Sequence, residues 1–166
     1  MKILPLTQLT VERLSLISDK PFESVLAAIQ RGIGHPKMEK FWEEIWSADS
    51  FHRVESIVTA ALSPTGLMQF GEFDDGGFIR KDRGEGTPNS MRLLVGNPLI
   101  MKQMTELVPD AAAYAPVTIL IDERDGKVHV SYDRMASLLS VYDNPGATKI
   151  AEALDTKIET LMRTAV

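Results

Sequence analysis

The chain has 166 residues, of which 44% are hydrophobic and 25% charged, and its formal net charge is -5. This length predicts a single domain, and the acidic balance argues against a nucleic-acid partner, which would need a basic surface. The chain has no cysteine, which excludes disulfides, thiolate nucleophiles and cysteine-based metal centres and favours a cytoplasmic location.

The first part of the chain predicts one strand followed by three helices. Residues 11–17 alternate loosely between apolar and polar side chains, which is typical of a strand. Apolar residues then recur every three or four positions in three successive segments, as on one face of a helix. These segments are 22–33, the stretch that follows Pro36, and 51–62.

The next part predicts a hairpin. Residues 67–73 have the composition of a strand, and Asp-Asp-Gly-Gly at 74–77 has the composition of a two-residue hairpin turn, which requires positive φ. Residues 78–81 are then predicted to begin the return strand. Residues 82–90 have no periodicity, and we expect a mobile loop there.

The remaining elements complete an α+β pattern. Strands are predicted at 91–95, 117–122 and 127–132, with a turn at Arg124-Asp125-Gly126. Helices are predicted at 98–108, 135–139 and after Asn144-Pro145. Five or six strands, mostly in hairpins, indicate an antiparallel sheet with helices packed mainly on one face.

Three motifs of the second half resemble a known bacterial family. They are Leu-Leu-Val-Gly-Asn-Pro-Leu at 93–99, Ala-Pro-Val-Thr-Ile-Leu-Ile at 115–121 and Gly-Lys-Val-His-Val-Ser-Tyr at 126–132. Their order and spacing resemble those of the family called domain of unknown function 302. The resemblance covers residues 11–33 and 65–140.

The resemblance implies a compact α+β fold and a homodimer, and it implies no activity. We expect one domain over residues 1–166 that departs from the family pattern in two places. The family-like core would be enlarged by a helical insertion at 36–62 and by a C-terminal helix at 144–165. The chain is thus expected to be a longer variant with extra helices.

The junction Gly96-Asn97-Pro98 is the most informative local feature. Asn97 is suited to cap the following helix, and Pro98 fits the first helical turn. The amides of Ile100 and Met101 would then attract an anion, with Lys102 nearby. The alternative is a well-capped helix start with no further role.

Our leading hypothesis is a non-enzymatic, homodimeric domain that binds or senses a small anionic or apolar molecule. The pocket is expected between this helix start, a methionine-rich sheet face and Tyr132-Asp133-Arg134. The candidate ligand-binding residues are Gly96, Asn97, Pro98, Met101, Lys102, Tyr114, Tyr132, Arg134 and Glu72.

Two other hypotheses stay open. One is an enzyme that uses Glu72 or Asp74 as an acid–base group. The other is a structural or partner-binding dimer with an apolar interface on Trp42, Trp46 or the C-terminal helix. At helical spacing these tryptophans and Phe41 suit a ligand-stacking surface, a core or a dimer seam.

No cofactor, metal or membrane partner is expected. His35, His52 and His129 are scattered and form no metal-binding pattern. The start of the chain, Met1 to Pro5, lacks the apolar stretch of a signal peptide. The longest apolar run, 111–121, has about half of the ~20 residues that span a bilayer.

Overall fold

The computed structural model describes residues 6–166 and contains five strands and seven α-helices within them. Met1 to Pro5, on which the signal-peptide prediction rests, lie outside the described residues. In chain order the elements are β1 (Arg13–Ser18), α1 (Phe22–Arg31), α2 (Met38–Ser47), α3 (Phe51–Ala61), β2 (Met68–Asp74), α4 (Asp75–Arg83), β3 (Ser90–Gly96), α5 (Pro98–Leu107), β4 (Val117–Arg124), β5 (Lys127–Asp133), α6 (Met135–Leu139) and α7 (Pro145–Ala165). Short 3₁₀ helices cover Pro109–Tyr114 and Ser140–Tyr142.

The five strands form one antiparallel sheet in the order β1-β5-β4-β3-β2. β4 and β5 are joined by a tight turn in which Asp125 has φ 54° and Gly126 has φ 71°. Positive φ at both central residues matches the twist of adjoining antiparallel strands. The predicted α+β class and sheet size are confirmed.

The main core lies between one face of the sheet and helices α1, α5 and α7. Alternate residues of the central strands point into it, since successive side chains of a strand face opposite sides. Those with no exposed surface include Leu93, Val95, Ile119, Ile121 and Val130. Each such side chain contributes about 1.5–3 kcal/mol to stability through burial. The packing of the helices against the sheet is therefore a major source of stability.

A smaller cluster attaches α2 and α3 to the start of β2. Phe41, Ile57, Val58 and Met68 are buried there. Because these side chains come from both helices and from the strand, the cluster fixes α2 beside the sheet. It thereby positions the outer surface of α2, which forms part of the candidate site.

The other face of the sheet is largely open to solvent. Arg13, Ser15, Ile17, Phe73 and Thr118 all point to this face and are exposed. The prediction that helices pack mainly on one face is therefore confirmed.

The segment after β2 differs from the prediction. Residues 74–77 form no hairpin turn, and 78–81 form no strand, because Asp75–Arg83 is the helix α4. The Asp74 carboxylate accepts a hydrogen bond from the Gly77 amide at 2.6 Å and so caps this helix. A side chain on Gly76 would press against the backbone of Ser90 at 2.6 Å, so its glycine permits close packing rather than a turn.

The two ends of the segment that contains α2 and α3 are held together beside the sheet. The Gly34 amide donates to the Leu67 carbonyl at 2.9 Å, and the Gln69 amide donates to the Gly34 carbonyl at 2.8 Å. Gly34 and Met68 thereby form a parallel bridge. A side chain at Gly34 would collide with the Ala61 carbonyl, so this closure needs glycine.

The C-terminal helix α7 begins at the predicted Asn144-Pro145 pair. The Asn144 side chain accepts a hydrogen bond from the Ala147 amide at 3.0 Å. The inner face of α7 is buried in the main core, whereas Glu152, Thr156 and Thr160 on the outer face are exposed. Within residues 6–166, no helix combines the length and the apolar character that crossing a bilayer requires.

Candidate functional site

The start of α5 is built as its sequence predicts. The Asn97 side-chain oxygen accepts hydrogen bonds from the amides of Leu99 at 2.8 Å and Ile100 at 3.4 Å. Its side-chain nitrogen donates to the Gly66 carbonyl at 3.0 Å. Pro98 occupies the first helical turn, where its missing N–H leaves no bond unmade. Asn97 thus ties α5 to the turn that precedes β2.

The helix start does not offer the predicted anion-binding amides. The Ile100 amide is bonded to the Asn97 side chain, and the Met101 amide donates to the Asn97 backbone carbonyl at 3.0 Å. Both donors are therefore already satisfied within the helix. The prediction of two free amides at this corner is wrong, because the capping residue itself occupies the position that an anion would take.

An apolar cavity of about 200 Å³ lies beside this helix start. Its walls come from α2, β2, α5, α7 and the adjoining ends of β3 and β4. Four of the predicted site residues, Gly96, Asn97, Pro98 and Met101, line it. The remaining lining residues are Trp42, Phe70, Met104, Ala115, Pro116, Val117 and Leu154.

The cavity is suited to hydrocarbon groups. None of its lining residues is charged, and both polar atoms of the Asn97 side chain are engaged. Pro98 and Pro116 contribute no amide hydrogen. An engineered apolar cavity of about 150 Å³ in another protein stays dry and binds benzene. The volume here therefore suffices for an apolar group about the size of one ring.

Trp42 is the most exposed residue of the cavity lining, which places the mouth of the cavity beside it. Its inner end is formed by Met104, Val117 and Leu154, which are at most 4% exposed, whereas Trp42 is 36% exposed. Trp46 stacks on Trp42 with a centroid distance of 5.8 Å and an interplanar angle of 16°. The two rings form an aromatic strip that continues from the mouth along α2.

The three aromatic residues of α2 have separate roles. Phe41 is buried in the smaller cluster, at 4% exposure, and its ring meets Trp42 edge-on at 5.0 Å. Trp46 is 79% exposed. Phe41 is thus a core residue, while the two tryptophans lie at the surface.

The two predicted cationic residues do not converge on the cavity. The Lys102 ammonium pairs with Glu106 at 2.5 Å and lies 5.0 Å from the Phe51 ring centroid. The Arg134 guanidinium pairs with Glu12 at 2.7 Å and with Glu159 at 3.1 Å. Each charge is thus held in a separate ion-pair cluster, and neither side chain is part of the cavity wall.

Tyr132 belongs to a buried hydrogen-bond network. Its hydroxyl donates to the Asp155 carboxylate at 2.5 Å. The same carboxylate accepts from the amides of Met135 at 2.7 Å and Ala136 at 3.1 Å. Burial, reinforced by the charge of Asp155, raises the pKa of Tyr132 far above its ordinary value. Tyr132 therefore remains a neutral phenol that supports the fold.

The two predicted tyrosines border a second depression and not the apolar cavity. Tyr114 and Tyr132 border a hollow of about 450 Å³ at the open face of the sheet. Arg13 and Arg92 also border it, and each is paired with a carboxylate. The two tyrosines therefore border a different depression from the four predicted residues that line the apolar cavity.

Glu72 and Asp74 both lie at the surface and away from the cavity. The Glu72 carboxylate is exposed and accepts hydrogen bonds from the side-chain amides of Gln30 at 3.1 Å and Gln69 at 3.0 Å. Asp74 is exposed and caps α4. Neither carboxylate lines the apolar cavity.

Several cavity residues were not predicted from the sequence. Phe70, Met104, Val117 and Leu154 come from four different elements. Of these, only Met104 has a sequence signal, because it is one of the methionines of the predicted methionine-rich sheet face. Leu154 carries no local sign of this role, because it is one of many apolar residues on the inner face of α7.

Comparisons with known proteins concern the family and the fold. The family described as "Domain of unknown function DUF302" matches residues 43–165. A crystal structure of an uncharacterized conserved DUF302 protein from Bacillus stearothermophilus is similar, with a TM-score of 0.66 and 8% sequence identity. The similarity covers 93% of this chain and 98% of that chain. No curated protein matches the sequence.

Proposed function

Since the chain belongs to the DUF302 family, whose function is unknown, we propose a function from the cavity: a non-enzymatic domain that binds or senses a small apolar molecule. The observation that carries this proposal is a space of about 200 Å³ beside α5 that is lined by apolar side chains and opens at Trp42. Protein interiors are otherwise packed with few voids larger than a water molecule. Small-molecule sites are typically concave and mostly apolar.

The lining favours binding over turnover. None of the side chains around the cavity titrates in the ordinary pH range, whereas acid–base catalysis needs such a group within hydrogen-bond reach of the substrate. Glu72 and Asp74, the carboxylates of the enzyme hypothesis, are exposed elsewhere. The proposal therefore assigns no catalytic residue.

Filling the cavity with a larger side chain tests the proposal. We expect benzene and toluene to raise the melting temperature of the wild-type protein, because a ligand at 100 times its Kd stabilises a folded protein by about 2.7 kcal/mol. Met101→Trp should abolish this shift by occupying the cavity. The measurement is a thermal-shift titration of both proteins.

The matched control is Gln103→Trp, which adds the same ring to the exposed side of the same helix. It should retain the wild-type response to both compounds. A wild-type protein that neither compound stabilises, or a Met101→Trp variant that responds as the wild type does, would refute the proposal.

We also propose that the protein forms a homodimer through the open face of the sheet. Ile17 at 61% and Phe73 at 44% exposure place apolar surface there. The charges of this face are already paired, since Arg13 binds Asp133 through two hydrogen bonds of 2.6 and 2.8 Å. Paired charges lower the cost of bringing two such faces together.

A further inference from the structure

We infer that the ligand is a single-chain amphiphile whose hydrocarbon end enters the cavity and whose next carbons lie along Trp42 and Trp46. This inference rests on the proposed function and adds the class of molecule. It follows from three features of the structure: the closed apolar end of the cavity, the position of its mouth, and the aromatic strip outside it.

The closed end of the cavity selects hydrocarbon. Met104, Val117 and Leu154 form this end and are 0%, 4% and 3% exposed. A polar group placed against them would lose its hydrogen bonds to water and gain none, which is strongly unfavourable. The part of a ligand that enters first must therefore be apolar, and any polar group must remain outside the mouth.

The aromatic strip extends the site beyond the cavity. Trp42 and Trp46 are one helical turn apart, so they share a side of α2 and span about 6 Å along its axis. Their rings are nearly parallel, at 16°, and Trp46 is 79% exposed. Contiguous exposed apolar surface of this kind marks interaction sites.

A chain fits both parts of this surface, whereas a compact molecule fits only one. A single ring would fill the cavity and leave the Trp46 ring in water. A linear chain that fills the cavity and leaves past Trp42 would cover Trp46 with its following carbons. Charges of both signs lie near the strip, as the Lys40–Glu44 pair on α2 and the Lys102–Glu106 pair on α5. They therefore favour no single charge on the head group. We therefore assign the hydrocarbon chain and leave the head group in solvent.

Chain-length dependence tests the inference. We would titrate n-alkanols, n-alkanoates and alkyltrimethylammonium ions of about four to twelve carbons below their micelle concentrations, using isothermal calorimetry. Affinity should rise about fourfold per methylene while carbons enter the cavity. It should keep rising for the carbons that follow, because they contact Trp46.

The variant Trp46→Ala distinguishes binding along the aromatic strip from binding inside the cavity. It should weaken binding of the ten- and twelve-carbon chains about tenfold and change binding of the six-carbon chain less than twofold, with loss of contact to roughly two methylenes as the cause. The matched control is Phe78→Ala, which removes an aromatic ring that is 82% exposed on α4. It should leave every chain length at wild-type affinity.

The outcomes distinguish this inference from the proposed function. If benzene binds and Met101→Trp blocks it, but affinity stops rising at about six carbons, the proposed function stands and the amphiphile is wrong. The same holds if Trp46→Ala affects long chains no more than Phe78→Ala does. If neither rings nor chains bind, both proposals fail.

Discussion

Two tyrosines, Tyr114 and Tyr142, illustrate how one contact sets the properties of a residue. Their hydroxyls are 2.9 Å apart and join the two 3₁₀ helices. The hydrogen bond to Tyr114 raises the pKa of Tyr142 to about 12, with smaller effects from burial and from nearby Asp110. Because the folded state favours the neutral phenol, this contact stabilises the fold below about pH 10, and the stabilisation is lost as the pH rises through about 12.

Removal of one hydroxyl should reveal this coupling. In Tyr114→Phe, we expect the titration midpoint of Tyr142 to fall from about 12 toward the ordinary tyrosine value of about 10. The measurement is a spectrophotometric titration of phenolate absorbance. Tyr132→Phe serves as the control and should leave the Tyr142 midpoint in place. An unchanged midpoint in Tyr114→Phe would show that the hydroxyl contact does not set the pKa.

Asp155 links three elements, β5, α6 and α7. The helix α6 has five residues, and the side chain of its N-cap residue, Arg134, forms no capping hydrogen bond. Asp155, which is 0% exposed, supplies the cap from α7 by accepting from the Met135 and Ala136 amides. A carboxylate is favoured at a helix N-terminus, where the amide dipoles point toward it.

Loss of this carboxylate should be costly. We expect Asp155→Asn to lower the free energy of unfolding by about 3 kcal/mol, because the charge is lost and the NH2 group of asparagine replaces one of the two acceptor oxygens, whereas hydrogen bonds to a charged group contribute about 1.5–3 kcal/mol. Tyr132→Phe removes only one donor to this carboxylate and should cost about 1.5 kcal/mol. Urea denaturation measures both. Equal losses in the two variants would contradict the capping role of Asp155.

The elements that sequence predicted well are those with a local signal. Asn97 and Asn144 each precede a proline, and both cap helices as expected. The failure at 74–83 also has a local cause. Asp-Asp-Gly-Gly suits a hairpin turn, but an aspartate before a helix is equally a cap, and the sequence does not decide between the two uses. In the structure these residues begin the helix α4, in which Gly76 lies against the backbone of Ser90.

The cavity was only partly predictable for a different reason. Gly96, Asn97, Pro98 and Met101 are close in sequence, so one motif indicated them together. Trp42 and Leu154 reach the same cavity from distant helices, and only the assembled fold brings them there. Lys102 and Arg134 are both expected at the pocket from the sequence, but each pairs with a carboxylate away from the cavity.

At the scale of the whole molecule, the open sheet face determines the expected assembly. Thr118 is exposed on β4, the central strand of the sheet. In the proposed dimer it would lie near the middle of the interface. A stable interface buries about 800 Å² per partner, so a large charged side chain at its middle should disrupt it.

We expect the wild-type protein to sediment as a dimer at micromolar concentration and Thr118→Arg to sediment as a monomer, because an added unpaired charge would be buried at the interface. Thr156→Arg is the matched control, since Thr156 is exposed on the outer face of α7. It should remain dimeric. Analytical ultracentrifugation makes the comparison, and a wild-type monomer would rule out the homodimer.

The bridge between Gly34 and Met68 holds together the two ends of the segment that contains α2 and α3. Because this excursion begins and ends at the same place, its length can change across evolution without shifting the register of any strand, and loop-closure entropy grows only slowly with length. The inner wall of the cavity belongs to the sheet, α5 and α7. Trp42, at the mouth of the cavity, belongs to the α2–α3 segment. If the proposed ligand binding holds, changes confined to this one segment would alter the mouth of the cavity and leave its inner wall intact.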